Sequence, residues 1–298
     1  MSAAPLPVVV NRSGGTAKSL GDKLAEELRN AGKAAGTELD LHLVEAAAVA
    51  ETVAALGAPA VAVGGGDGTQ GAAAAVLAGT ETALAVLPLG TRNHLARQLG
   101  IPLELPGALA VAAYGERARI DLARGNGRIF VNNASIGLYT RLVRERDRRS
   151  APKWLGTIPA TWYVLRRLRA RPLCLVIDGR RQALRTPLLF IGNNRYSLEA
   201  GRVGERESLT GGVLSLFAVA AKGPLALAAF AMRALVGRAD TERDFAALNA
   251  AREVTVEGSG PIDVAFDGEV ERMELPLTFE TMPGALAVMV PAAPGGEP

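Results

Sequence analysis

The sequence is poor in the residues that build covalent and metal scaffolds. A single cysteine, Cys174, excludes a disulfide framework and any cysteine-based zinc or iron–sulfur site. It lies in Leu-Cys-Leu-Val-Ile and reads as a buried strand residue. Two histidines, His42 and His94, leave no histidine-rich metal site. Aromatic residues are only 4% of the chain, with none of the aromatic-and-basic interleaving that stacks single-stranded bases, so nucleic acid is not expected as a partner. Long apolar runs are also missing. The uncharged stretch from Thr52 to Gly66 contains three consecutive glycines and a proline, which is too short and too broken to span a bilayer. The N-terminal residues carry no basic region followed by an apolar one, so no signal peptide is expected and the reading is cytoplasmic.

What is present is a globular composition, 49% apolar and 21% charged over 298 residues, which suits about two domains. Net charge is only +3, yet the 33 basic residues are unevenly spread. The segment from Arg141 to Arg171 is densely basic against only Glu145 and Asp147, and it holds both tryptophans, Trp154 and Trp162. Arginine with interfacial aromatics suits a bilayer surface. A solvated or core-packed helix is the other reading of the same residues.

The first 120 residues alternate short apolar runs with helical stretches: strands at Pro7–Val10, Leu39–Val44, Ala60–Val63 and Leu84–Leu87, with helices between and after them. This pattern predicts a parallel sheet covered on both faces. In such sheets ligands bind beyond the carboxyl ends of the strands, so the loops at 11–16, 64–69 and 88–93 should converge on one site. From about Ile120 the runs become short and β-rich, with turn signals at Asp178-Gly179, Asn193-Asn194 and Asp267-Gly268. That half reads as an antiparallel sandwich or barrel, interrupted by helical segments near 138–170 and 223–237. The expected division is an α/β domain over 1–120, a β-sandwich domain over 121–292 and a frayed tail at 293–298.

Gly66-Asp67-Gly68-Thr69-Gln70-Gly71 matches a dinucleotide fingerprint, but the following strand ends in Val86-Leu87-Pro88-Leu89 without the carboxylate that would hold a ribose. Gly14-Gly-Thr-Ala-Lys-Ser19 resembles half a Walker loop, with Ala17 where glycine is required. What stands is that glycines let backbone N–H groups approach phosphate oxygens, and that a carboxylate such as Asp67 among them suits a magnesium-bound polyphosphate. A tight turn with Asp67 as a helix cap is the plainer alternative.

Taken together, Gly65-Gly-Asp-Gly-Thr69, Leu87-Pro-Leu-Gly-Thr-Arg-Asn93, Asn11-Arg-Ser-Gly-Gly15, Phe130-Val-Asn-Asn-Ala-Ser-Ile-Gly137, Gly192-Asn193 and Asp267-Gly-Glu269 resemble the diacylglycerol-kinase catalytic-domain family of lipid kinases. The resemblance runs from about residue 8 to residue 291. It implies an α/β nucleotide-binding domain followed by a β-sandwich domain, with the active site in the cleft between them. It further implies ATP held by Asn11, Ser13, Gly14, Gly15, Gly65, Gly66, Asp67, Gly68, Thr69, Gly90, Thr91 and Asn93, and Mg²⁺ reached by Asp67 through the magnesium–ATP complex. Glu269 would be the general base for a lipid hydroxyl, with Asp67 the second catalytic carboxylate. The implied partners are a lipid alcohol and, transiently, the inner membrane surface through 141–171; a homodimer stays open. NAD kinase, which shares the Gly-Gly-Asp-Gly-Thr piece, and a catalytically inactive nucleotide- or lipid-binding relative are the competing readings.

The chain departs from the pattern in places. Arg12 stands where the first loop usually has proline, Gly71-Ala72 replaces an Asn-Glu pair, and His94 replaces an aspartate. Gly211 in Thr210-Gly211-Gly212 replaces the aspartate that holds a structural metal in many bacterial members, so that metal is not carried over.

Overall fold

In the computed structural model the described residues are 4–137, 171–196, 206–219 and 245–292. The basic, tryptophan-bearing stretch up to residue 170 and the expected helix at 223–237 therefore lie outside them. The chain divides into two units, Met1–Ile120 with Pro283–Pro298, and Asp121–Met282. The final strand thus changes unit at Pro283, where a second domain continuous to residue 292 was expected.

The first unit begins with β1 (Leu6–Asn11), α1 (Gly15–Leu20) and α2 (Leu24–Ala34), followed by β2 (Leu39–Val44) and α3 (Val49–Ala55). It continues with β3 (Ala60–Gly65), α4 (Asp67–Leu77), β4 (Ala83–Pro88), α5 (His94–Gln98) and α6 (Leu105–Tyr114). The helical pattern read continuously from Thr16 to Ala31 is broken at Gly21, whose φ of 53° a helix cannot contain. Strands pair in parallel in the order β2-β1-β3-β4. Val8–Val10, Val61–Val63 and Leu84–Leu87 are all buried, because crossover helices cover both faces of the sheet. Helices α2 and α6 pack against each other, as do α3 and α4. The chain leaves β1 toward β2, then returns past β1 to β3. The β1/β3 boundary is thus the point where strand order reverses, the usual ligand position in open α/β sheets.

The second unit is antiparallel. Its strands are β5 (Glu116–Gly125, entering from the first unit), β6 (Arg128–Phe130), β7 (Asn133–Gly137), β8 (Arg171–Ile177), β9 (Arg180–Thr186), β10 (Leu188–Asn193) and β11 (Leu214–Val219). They are followed by β12 (Phe245–Ala251), β13 (Glu253–Glu257), β14 (Pro261–Phe266), β15 (Glu269–Glu274) and the first half of β16 (Leu277–Val290). One sheet runs β12-β11-β10-β7-β14-β15; in the other, β13 lies between β16 and β8, with β9 beyond. Leu175, Val254, Val256 and Phe279 of one sheet share a core with Ile136, Leu189, Leu216, Val264 and Phe266 of the other, with Phe130 among the rings. Cys174 lies in β8 as expected, but it is half-buried while Leu173 and Leu175 point into the core.

Three hairpins turn on two residues with positive φ: Asn126-Gly127, Asp178-Gly179 and Asp267-Gly268. This is the geometry that matches the twist of the flanking strands. Asn193-Asn194 is not such a turn: Asn193 ends β10 fully buried.

Candidate functional site

At the carboxyl edge of the parallel sheet the three unusual loops are tied to one another, pair by pair. Asn11 is buried at the end of β1, and its Nδ2 donates to Thr69 Oγ1 at 3.0 Å, joining the first loop to the second. Its Oδ1 accepts from Ser13 N–H at 3.0 Å and from Ser13 Oγ at 2.6 Å, which curls the chain toward Gly14. Thr16 N–H donates to Leu89 O at 2.9 Å, joining the first loop to the third. His94 N–H donates to Asp67 Oδ1 at 2.8 Å, joining the second to the third. The convergence expected from the strand order is therefore present within the first unit.

Close backbone approach explains the glycines best at two positions. A Cβ on Gly90 would lie 2.5 Å from Gly66 Cα, and one on Gly15, whose φ is 56°, would lie 2.3 Å from Leu89 O. Asn93 takes the left-handed conformation at φ 52° and secures the third loop. Its Oδ1 accepts from Gly90 N–H at 2.8 Å, and its Nδ2 donates to Gly90 O at 2.9 Å. Thr91 and Ser13 are exposed beside this frame, whereas Gly65 is buried at the end of β3. The helix after the third loop begins at His94 rather than near Thr91, because Asn93 holds the preceding turn.

Asp67 has a part that sequence reasoning missed. It opens α4, but its carboxylate caps the other helix, α5, across the loop. After Thr69, Gln70 is buried with Nε2 bonded to Val63 O at 2.7 Å, and Gly71-Ala72 follows it. Asp67 is thus a partly exposed carboxylate with one oxygen committed to a backbone N–H. Among the described residues no three His, Cys, Asp or Glu lie together in a group that could hold a metal. A magnesium ion whose remaining ligands are phosphate oxygens and water fits a lone carboxylate of this kind.

In the second unit, Asp267-Gly268-Glu269 separates into two functions. The half-buried Asp267 accepts three backbone N–H groups with its carboxylate, from Val131 at 2.7 Å, Asn132 at 2.8 Å and Asn133 at 3.0 Å. The carbonyls of the same stretch are held from the other side. Val131 O accepts from Arg206 Nη1 at 2.7 Å and Asn193 Nδ2 at 2.9 Å, and Asn132 O accepts from the Tyr196 hydroxyl at 2.9 Å. Burial pushes the Asp267 carboxyl up from its ordinary range, while the three N–H groups and Arg206 pull it back. Burial also lowers the Arg206 guanidinium and raises the Tyr196 phenol. None of this was legible beforehand, because the carboxylate's partners are main-chain groups.

Glu269, two residues on, is exposed at the start of β15. Its Oε2 accepts from Arg128 Nη2 at 2.6 Å, and Arg128 Nη1 lies 3.3 Å from Glu271. The turn at Thr210-Gly211-Gly212 closes on side chains: Gly212 N–H donates to Asp121 Oδ2 at 2.7 Å and to Asn194 Oδ1 at 3.0 Å. Asp121 N–H in turn donates to Leu209 O at 2.8 Å.

Comparison with known proteins bears on the family and the fold. The family model for the diacylglycerol kinase catalytic domain matches residues 5–124. That for the YegS C-terminal NAD kinase beta sandwich-like domain matches residues 144–290. A Klebsiella pneumoniae protein named probable lipid kinase YegS-like is 46% identical over 88 residues, or 28% of this chain and 30% of that protein. An Enterobacter protein of the same name is 36% identical over 137 residues, 46% of its length, so the chain spans less than half of each of these two relatives. A protein named diacylglycerol kinase from Mycobacterium tuberculosis is 32% identical over 261 residues, covering 84% of this chain and 81% of that one. The crystal structure of a diacylglycerol kinase from Bacillus anthracis shares the fold with a TM-score of 0.67 at 22% identity, each chain covered to 96%. With an α/β unit carrying the glycine-rich loops and a β-sandwich-like unit carrying Asp-Gly-Glu, the chain belongs to the diacylglycerol kinase catalytic-domain family.

Proposed function

We propose that the chain is an ATP-dependent lipid kinase that transfers the γ-phosphoryl group of ATP to the hydroxyl of a lipid alcohol, such as diacylglycerol or a sphingoid base. The observation that carries this reading is the pairwise bonding of the three loops at the strand-order reversal. It presents glycine backbone from Gly14, Gly66, Gly68 and Gly90 within one small frame. Backbone N–H groups at loop and helix starts are suited to phosphate oxygens. Magnesium enters as part of the nucleotide substrate, and Asp67 faces it. Phosphoryl transfer asks mainly for positioning and charge stabilisation, with one group to accept the nucleophile's proton. In this reading the lipid oxygen bonds to the γ-phosphorus, the bond to the β,γ-bridging oxygen breaks, ADP leaves, and Glu269 takes the hydroxyl proton. The sequence between 141 and 171 supplies contact with the membrane surface, placing the enzyme at the cytoplasmic face of the inner membrane.

Radiolabelled ATP with magnesium and vesicles made from a mixed lipid extract tests the proposal. Label in a lipid phosphate that vanishes with Glu269→Gln supports it, and the labelled lipid names the substrate. Label in NADP instead transfers the assignment to NAD kinase. Nucleotide binding with no label in any product indicates an inactive relative.

A further inference from the structure

We propose that Arg12 is a phosphate-binding residue of the first loop, and that Glu45 is the counter-ion that holds it when no nucleotide is present. The inference rests on the reading of the three loops as a nucleotide site and adds a residue that the family pattern does not assign. Arg12 directly follows β1, and its N–H donates to Val44 O at 3.0 Å, so the β1–β2 ladder runs one residue beyond the strands. Arg12 and Glu45 consequently sit side by side at the carboxyl edge of the sheet. Arg12 Nε donates to Glu45 Oε1 at 2.6 Å, with side-chain exposures of 60% and 56%. The Arg12 guanidinium holds the Glu45 carboxyl below its ordinary range.

Within Asn11-Arg12-Ser13-Gly14-Gly15, Arg12 is the one charged residue. Ser13 bonds to Asn11, and Asn11 bonds to Thr69, fixing the main chain around it. An exposed ion pair through one nitrogen is weak and easily exchanged. A polyphosphate offers more charge and the paired oxygens that a guanidinium fork matches, so it displaces Glu45 from Arg12. The freed Glu45 carboxylate then stands as a like charge beside the phosphates, which makes nucleotide affinity a balance between the two side chains. Asp67, the other carboxylate at this edge, is committed to the α5 N-terminus and does not compete for Arg12.

Calorimetric titration of the full chain and its variants with magnesium–ATP and with adenosine tests this. Arg12→Ala is expected to weaken magnesium–ATP by about tenfold or more while adenosine changes by less than about twofold. Arg12→Lys, which keeps the charge but not the fork, falls between. Glu45→Gln is expected to tighten magnesium–ATP by about threefold. Glu45→Gln weakening ATP as much as Arg12→Ala would overturn the proposal, since the pair would then be a strut for the loop. So would Arg12→Ala with unchanged ATP affinity. A wild-type chain that binds no nucleotide at all would remove the nucleotide reading itself, and the proposal with it.

Discussion

At the scale of single residues, two positions separate structure from chemistry most clearly. Gly90 lies against Gly66 so closely that one added carbon cannot be placed without moving main chain. Gly90→Ala should therefore cost roughly 1–3 kcal/mol of stability, as overpacking does. Because the shift opens the frame between the second and third loops, it should also abolish magnesium–ATP binding; thermal melting and nucleotide titration measure the two effects. Asp67 gives the converse case. Asp67→Asn keeps an oxygen for the His94 N–H but loses the charge, so the cap survives at a cost of about 0.5 kcal/mol. Turnover should fall about a hundredfold or more if the carboxylate faces the magnesium–phosphate complex. Equal activity in Asp67→Asn and wild type would leave Asp67 as a helix cap alone.

At the scale of elements, the stretch between β6 and β7 has its N–H groups held by Asp267 and its carbonyls by Arg206, Asn193 and Tyr196. Asp267→Ala removes the acceptor for three N–H groups, and each one left unsatisfied costs roughly 1–3 kcal/mol. Denaturant titration reads that loss. The Tyr196 phenol gives the same device a pH signature. Burial raises it above its value of about 10 in the unfolded chain, so folding keeps a proton that unfolding releases. Its contribution is complete below pH 10 and is lost as pH rises through the folded value. Wild type should therefore lose stability more steeply above pH 10 than Tyr196→Phe does.

These elements also show what the sequence could and could not disclose. Parallel strands β1, β3 and β4 were legible because burial on both faces makes them continuous apolar runs, edge strand β2 by the alternation Leu-Asp-Leu-His-Leu, and the glycine loops because few other contexts need so many glycines together. Strands β5, β9 and β15 escaped because they are mixed in polarity: β9 is Arg-Arg-Gln-Ala-Leu-Arg-Thr, exposed for most of its length, and is fixed by pairing with β8. β12, Phe-Ala-Ala-Leu-Asn-Ala-Ala, escaped because its alanines and leucine favour helix over strand. Asp267 was visible as a turn residue only, since its three partners are peptide groups that no side-chain pattern reveals.

At the scale of the whole molecule, the chain's last strand ties sequence ends together. The second half of β16 belongs to the first unit, where it pairs in parallel with β4 at Val288 and Leu84. Leu286, Ala287, Val288 and Met289 are buried there, Gly79 N–H donates to Ala285 O at 2.7 Å, and Arg119 Nη1 donates to Gly284 O at 3.1 Å. A sheet assembled from the first 120 residues alone would leave β4, buried along its whole length, as an open edge. Burial of Leu286 and Val288 contributes roughly 1.5–3 kcal/mol each, a sizeable share of the stability of an ordinary domain. A chain ending at Met282 should consequently lose magnesium–ATP binding and cooperative melting of the first unit, although every loop residue of the site is retained. Adding residues 283–298 as a separate peptide should restore part of both. If the shortened chain bound magnesium–ATP as tightly as the full one, the last strand would be dispensable to the site, and the first 120 residues would be the complete nucleotide-binding unit.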